Sequence, residues 1–417
     1  MHNEYHIDAC DCEDCNTIVA INLNRYDTII DKIAQDLHAG KLKPEDLNQE
    51  LINQTYVDLN EASENGYGSK WSEFPKDGKG TTPMRLKQNL YAFSSAKTYA
   101  QLEAINRLLV DADGKLRPYN EFEQLAKKTG LLYNKNYLQA EYQTARTSAQ
   151  MIDKWERLQE TKDLFPNLKF RTVGDDRVRD KHRALNGIIK PIDDKFWDKY
   201  YPPLDWRCRC DVVATAEDAD DKLPKDLPEP QLKEHVGKSQ EIFTKKGTYF
   251  KLANTKENVV RNMELAKLNS PNQLAYKGKK GKVEISIYAH ESDLENNYRI
   301  AEFLASEYEY NILIRPHLNG MIIRKFKNPE YLINGKLAEL KIPESINYKK
   351  VLAKANAQEC EIVIIDLSIN KDSVDNAYHL IDNVLKFEWV HENIKEVIII
   401  SKDSKSSKVY KRKKQAN

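Results

Sequence analysis

Three groups of residues in this sequence have types and spacings suited to chemistry. The first opens the chain: His6, Cys10, Cys12 and Cys15, with three thiols inside six positions of a chain that holds six cysteines in all. The second runs Asp175, Asp176, Arg177, Arg179, His182, and then Pro202-Pro203-Leu204-Asp205-Trp206-Arg207-Cys208-Arg209-Cys210. The third is an acid, a turn and a second acid: Asn328-Pro329-Glu330, Asn334-Gly335 and Glu339-Leu340-Lys341.

Thiolates and imidazole are ligands for zinc. His182, Cys208 and Cys210, with Asp205 as a fourth ligand, therefore make one candidate site. Cys10, Cys12 and Cys15 either close a site with His6 or donate to the Cys208/Cys210 module. The Cys-x-Cys spacing is shorter than structural zinc usually prefers. The competing readings are a reduced tail at the N-terminus and, around His182, a module stapled by Arg/Asp ion pairs and by Trp197 and Trp206. In the third group, a carboxylate entering a hairpin and another on its return strand can converge on one Mg²⁺ or Mn²⁺. Glu339 and Lys341 are two apart, so on a strand they share a face, and the amine then stands where it can prime water. Glu295, upstream, is a candidate third carboxylate. Arg315, Arg324, Lys325, Lys327 and Lys336 are candidate phosphate contacts, against the alternative of a solvated strand surface.

The elements that must position these groups are legible from periodicity. Apolar residues recur at helical intervals from Asn24 to about Ala62 and again from Met84 through Trp155, with Pro44 at a first helical position. Periodicity is lost over 166–216, where Trp, Pro, Asp and Arg crowd into a turn-rich module. LPKDLPEP then reads as an extended linker, and NTKENVVRNMELAKL as a helix. From 276 onward the pattern alternates. KVEISIYA, NILIRP, MIIRKF, EIVIIDLS and EVIIIS read as strands, LENNYRIAEFLASEY and segments near 345–358 and 373–388 as helices. Asn334-Gly335 marks a hairpin within YLINGKLAELKI.

The fold class expected is multidomain: a mainly α N-terminal region with a small Cys/Arg/Asp-rich α+β module, then a C-terminal α/β domain with an αβββαβ core. The expected boundaries are 1–20 (Cys-rich segment), 21–220 (helical domain, signature 167–213), 221–275 (Pro-containing linker and helix), 276–402 (α/β domain) and 403–417 (basic, disordered tail). The chain has 417 residues, with 65 Lys+Arg against 64 Asp+Glu and a net charge of +1. That balance excludes a globally basic nucleic-acid coat and an acidic disordered chain. No apolar run reaches a membrane-spanning length and the N-terminus lacks a secretory pattern, so cytoplasmic synthesis and no membrane partner are expected.

Residues Asn167-Leu168-Lys169-Phe170, Thr172-Val173, Asp176 to Arg179, His182, Leu185-Asn186-Gly187, Phe196-Trp197, Pro202-Pro203 and Trp206 to Cys210 together resemble the head-morphogenesis domain of the Mu protein F family of minor capsid proteins. Tyr137 to Tyr142 and Trp155 match the helical part that precedes this signature, and the resemblance spans roughly 80 to 215. It implies a phage or prophage protein with portal and capsid proteins as partners, located in the host cytoplasm during assembly and then in the virion head. Many relatives carry Cys where this chain has His182.

Residues Glu284-Ile285-Ser286, Glu295-Asn296, Ala301 to Ala305, Lys327 to Glu330, Ile333 to Lys336, Glu339 to Lys341 and Ile364 to Leu367 resemble the C-terminal toxin domains of contact-dependent inhibition proteins. The wider pattern resembles the PD-(D/E)XK nuclease core, with Glu330 in place of the usual Asp. The resemblance, over roughly 276 to 402, implies cleavage of tRNA or another RNA or DNA with a divalent cation (Mg, Mn or Zn), and an immunity protein as partner. Two alternatives are an inactive interaction module and a metal-independent barnase/EndoU/colicin/RelE-like nuclease, for which His317, Arg315 and Arg324 are the candidates.

Overall fold

A computed structural model describes residues 22–412 except 73–80, 221, 222, 225, 228, 233, 388 and 389. His6, Cys10, Cys12 and Cys15 lie outside the described residues. The chain divides into two compact units, the first ending at Met263 and the second beginning at Glu264.

The first unit is helical through its first half: α1 (Leu23–His38), α2 (Gln49–Tyr67), α3 (Thr82–Asn106), α4 (Tyr119–Leu131) and α5 (Leu138–Glu160). The side chains of α3 are buried on nearly all sides, so its polar residues need internal partners. Lys87 Nζ donates to the Trp71 carbonyl at 2.9 Å, Lys97 pairs with Glu141 of α5, and Asn89 exchanges two bonds with the Phe243 backbone at 2.8 and 2.9 Å. Close contact of α2 with α5 depends on Gly66, where a Cβ would fall 2.0 Å from the Arg146 carbonyl oxygen.

After α5 comes a small antiparallel sheet of β1 (Asn167–Arg171), β2 (Ile189–Pro191) and β3 (Asp211–Thr215), with β1 in the centre. Short helices α6 (Asp180–Arg183) and α7 (Phe196–Tyr200) fill the connections. The sequence marked 221–275 as a Pro-containing linker and helix, but its described residues up to Met263 belong to this unit and pack into it. Leu232 N donates to Leu204 O at 2.8 Å, the His235 ring stacks on Tyr201 at 4.2 Å, and Phe243 stacks on Phe93 at 3.8 Å. It also carries α8 (Val236–Ser239), α9 (Thr248–Ala253) and α10 (Glu257–Ala266). Scattered aromatic anchors hold it, which is why no periodic stripe announces it.

The second unit is a mixed sheet in the order β11-β10-β9-β8-β7-β6-β5-β4. Its strands are β4 (Asn272–Lys277), β5 (Lys282–Ser286), β6 (Asn311–Ile314), β7 (Tyr331–Ile333), β8 (Lys336–Lys341), β9 (Ile362–Asp366), β10 (Glu396–Ile400) and β11 (Ser407–Lys411). Helices α11 (Leu294–Glu307), α12 (Tyr348–Ala357) and α13 (Val374–Leu385) link the parallel pairs β5/β6, β8/β9 and β9/β10. Tyr331 donates to the Asn297 carbonyl at 3.1 Å, placing α11 on the face that Tyr331 occupies. Leu352 of α12 and Ile381 of α13 pack with Val363, Ile365, Val397 and Ile399, which project from the other face.

Two expectations for this unit are corrected. Met321 to Phe326 form turns, not a strand: Asn319 accepts from Met321 N through its side chain and from Ile322 and Ile323 N through its carbonyl. The segment 403–412 is not a disordered tail, since β11 pairs antiparallel with β10 along its whole length.

Candidate functional site

In the first unit, the sequence brings two thiols to one side by extension. Cys208 N donates to Asp205 O at 3.1 Å, closing a turn in which Arg207 takes a positive φ of 58° and donates its N–H to Thr144 Oγ1 of α5. The chain then runs straight into β3. Cys208 and Cys210, two apart on extended backbone, therefore share a face. His182 comes from α6 and directs Nδ1 at both, 3.7 Å from Cys208 Sγ and 3.4 Å from Cys210 Sγ. All three residues are buried, and their donor atoms lie within 4.8 Å of one another. This geometry removes the spacing objection to Cys-x-Cys.

Asp205 is not in that ligand set. Its Oδ2 lies 2.8 Å from His182 Nε2, on the side of the ring away from the thiols, and 2.5 Å from Lys181 Nζ. Its Oδ1 accepts from Gln231 N at 2.8 Å. A carboxylate on one imidazole nitrogen, with a metal-binding face on the other, is the usual outer support of a metal-ligating histidine. Burial opposes charge on His182, but the bonds to Asp205 and Cys208 outweigh it and push the imidazole up to about 9. The hydrogen bond from Cys210, followed by His182, holds the Cys208 thiol well below its ordinary value. The soft donor set of one nitrogen and two sulfurs fits zinc or a similar thiophilic ion.

In the second unit, register assembles the acids. Tyr331 pairs with Ala338 across β7 and β8, so the next pair outward is Glu330 with Glu339, and directly paired residues share a face. Leu340 N donates to Glu330 Oε2 at 3.0 Å. Glu339 is buried, its Oε1 held by Lys341 and its Oε2 without a hydrogen-bond partner. Arg315, opposite Glu330 on the β6 side, donates its N–H to the Glu330 carbonyl at 2.9 Å and its Nη1 to the Pro329 carbonyl at 2.8 Å. Burial, and next the Glu339 carboxylate, push the Glu330 carboxyl up to about 8. Burial and the two acids likewise push the thiol of Cys360 up to about 12. A concentrated negative potential and an unmatched buried oxygen are features a divalent cation relieves.

The other predicted residues scatter. Glu295 is exposed on α11, the helix covering the opposite face, so the structure does not bring it to the acid pair. Lys336 sits at the Asn334-Gly335 turn, about 10 Å along the strand from Glu339. Lys327 binds the Ala357 carbonyl, while Arg324 and Lys325 are exposed on the loop between β6 and β7. Sequence reasoning passed over Cys360 as a lone cysteine and Lys181 as one more charge. It also missed the pairing of His317 with His290, whose rings lie 4.6 Å apart. No spacing rule connects such residues, which meet only through sheet register and loop closure.

Comparison with known proteins divides the chain in the same way. Residues 113–213 match the family model described as Phage Mu protein F like protein, and residues 327–406 match that of the contact-dependent growth inhibition CdiA C-terminal domain. The putative capsid assembly protein F of Escherichia phage Mu is 35% identical over 109 residues, covering 26% of this chain and 22% of the relative. The Mu-like prophage FluMu F protein of Haemophilus influenzae is 41% identical over 76 residues, 18% of this chain and 16% of the relative. The chain thus spans less than a quarter of these curated relatives. A CdiA-CT/CdiI toxin and immunity complex from Burkholderia pseudomallei aligns at 20% identity and a TM-score of 0.23, over 29% of this chain and 85% of that one.

Proposed function

We propose that this chain, which joins a region homologous to phage Mu capsid assembly protein F to a region homologous to CdiA C-terminal toxin domains, is a phage or prophage minor head protein that associates with portal and capsid during assembly and carries a metal-dependent nuclease at its C-terminus. Its substrate is a phosphodiester of RNA, with tRNA the favoured form, or of DNA. An immunity protein is the matching partner of the toxin-like region. Among the described residues no helix is long and apolar enough to cross a membrane.

The observation that carries the nuclease reading is the Glu330–Glu339 pair with Lys341 against it. Glu330 and Glu339 would hold a divalent cation, Mg²⁺, Mn²⁺ or Zn²⁺, which when bound neutralises charge developing at phosphorus and activates water. Lys341 stands against Glu339, where its side-chain nitrogen can orient the attacking water. Arg315 braces the backbone of Pro329 and Glu330 and so fixes the first carboxylate. Arg324 and Lys325, exposed on the adjoining loop, are available for phosphate oxygens.

The test is incubation of the full chain with tRNA and with duplex and single-stranded DNA, each with Mg²⁺, Mn²⁺, Zn²⁺ or EDTA. Cleavage that requires a cation and disappears in Glu339→Gln and Lys341→Met supports the proposal. Failure of the wild-type chain to cut any substrate with any cation leaves the C-terminal region as an interaction module. Cutting in EDTA that survives Glu339→Gln moves the chemistry to His317, Arg315 and Arg324. For the head-protein part, absence of the chain from purified procapsids and portal complexes is the damaging result.

A further inference from the structure

The His182, Cys208 and Cys210 donors stop one short of the four that close a tetrahedral zinc site. The natural fourth candidate, Asp205, is already committed to His182 Nε2, Lys181 and Gln231 N. Among the described residues no other His, Cys, Asp or Glu joins the cluster. Instead, the three donors line a small cavity of about 20 Å³, room for one water or one ligand oxygen. Four arginines rim that cavity: Arg177, Arg179, Arg207 and Arg209. Two carboxylates stand against the four guanidinium groups: Asp175 binds Arg209 at 2.7 and 2.9 Å and Arg177 at 3.3 Å, and Asp205 lies 3.8 Å from Arg179. Arg179 is anchored from behind by its bond to the Trp206 carbonyl at 2.9 Å, which fixes its guanidinium at the rim.

We propose that this cluster is an open metal site, in which a thiophilic divalent ion held by His182, Cys208 and Cys210 takes a phosphate oxygen as its fourth ligand from the arginine-rimmed cavity. The proposal rests on the metal reading of the three donors and adds the ligand class. With two thiolates the metal centre is close to neutral, so the excess positive charge comes from the rim, and it selects an anion. Guanidinium forks match phosphate in plane and spacing better than ammonium groups do. The cavity admits one oxygen, leaving the remaining phosphate oxygens outside it among the four forks. Free phosphate and the backbone of a nucleic acid share this chemistry. The site binds and does not hydrolyse: both nearby carboxylates are engaged, and among the described residues no general base faces the cavity.

The experiment uses the full chain, reduced and loaded with Co²⁺. Thiolate-to-cobalt charge-transfer absorption reports the metal, and the visible d–d bands report the fourth ligand. Inorganic phosphate is expected to shift the d–d bands in a saturable way while leaving the charge-transfer band in place. Arg179→Gln and Arg209→Gln should each weaken that response roughly tenfold or more, the loss expected for one charge-assisted hydrogen bond, with cobalt still bound. Competition by a DNA duplex at equal phosphate concentration, tighter than phosphate itself, identifies the polymer backbone as the source. No competition identifies free phosphate. Absence of charge-transfer absorption removes the metal reading altogether. Bound cobalt whose d–d bands ignore phosphate overturns the open-site proposal alone. So does a d–d spectrum that changes, before any phosphate is added, when Cys10, Cys12 and Cys15 are replaced by Ser, because the fourth ligand then comes from this chain.

Discussion

Glu330 and Glu339 face each other across β7 and β8, one step beyond the Tyr331–Ala338 pair, with their carboxyl groups in contact on one face of the sheet. Two acids placed this way repel when both are ionised, and Lys341 meets only one of them. The arrangement costs stability until a cation bridges it. Glu339→Gln should therefore stabilise the second unit in EDTA by on the order of 1 kcal/mol, which raises its unfolding midpoint. The wild-type chain should gain about 2.7 kcal/mol when Mn²⁺ reaches a hundred times its dissociation constant, and Glu339→Gln should gain nothing. Calorimetry with and without Mn²⁺ checks both. Equal cation-dependent shifts in the two proteins would remove the acid pair from metal binding.

The same pair shows what sequence could supply. Asn334-Gly335 takes φ values of 47° and 84°, the left-handed backbone a tight hairpin needs, and that dipeptide fixes the register which sets Glu330 opposite Glu339. Helical stripes located α1, α2, α4, α5 and α11 for the same reason: one wet face and one dry face leave a period. Where both faces are wet or both are dry the period fails. Lys408 and Lys411 gave β11 the look of a solvated tail, although it is an edge strand whose only buried anchor is Tyr410. Ile322 and Ile323 suggested a strand, yet Asn319 and Asn328 bind the backbone there and fold it into turns. At the cysteine cluster the ligands were visible, but the role of Asp205 was not. Which ring nitrogen it meets depends on the path of the chain between α6 and β3.

That role of Asp205 leads to a separate expectation. A residue that orients a ligand alters affinity without altering stoichiometry. Asp205→Asn should retain one zinc per chain while weakening it about 10–100-fold, whereas Cys208→Ser with Cys210→Ser should lose the metal outright. Competition against a chromophoric chelator measures the first and elemental analysis of dialysed protein the second. If Asp205→Asn loses zinc as completely as the double cysteine variant, Asp205 is a ligand after all.

The pH dependence of the first unit should centre on His235. Its ring stacks on Tyr201 and meets Trp155 edge-on at 4.4 Å, while Nδ1 accepts from Lys238 N at 3.1 Å. Burial, with the Lys238 charge second, lowers its pKa from 6.5 to about 4. The folded state therefore stays neutral where the unfolded chain takes up a proton. The contribution of His235 is fully present above pH 6.5, falls as pH drops, and has lost about 3 kcal/mol near pH 4. His235→Asn keeps a cap acceptor without the titrating ring, so its lower stability should vary less over this range. Unfolding midpoints of both proteins between pH 4 and 7 test this; parallel curves would exclude His235 as the titrating group.

Lys97 and Glu141 form an ion pair in which each side chain is 1% exposed. Lys97 also donates to the Tyr133 carbonyl at 3.1 Å, and Tyr249 donates to the second Glu141 oxygen at 3.2 Å. Attraction in such a place is offset by the cost of removing both charges from water, so the pair adds little net stability. Its loss by halves is another matter. Lys97→Met leaves a buried carboxylate with only the Tyr249 hydroxyl, and should cost about 3–5 kcal/mol. Glu141→Leu strands the ammonium, and should cost a similar amount. The double variant Lys97→Met, Glu141→Leu should recover most of the loss, because two apolar side chains of similar volume need no charged partner. Urea denaturation of the four proteins closes the cycle. Single and double losses that simply add would show that the two side chains act independently, despite the contact between them.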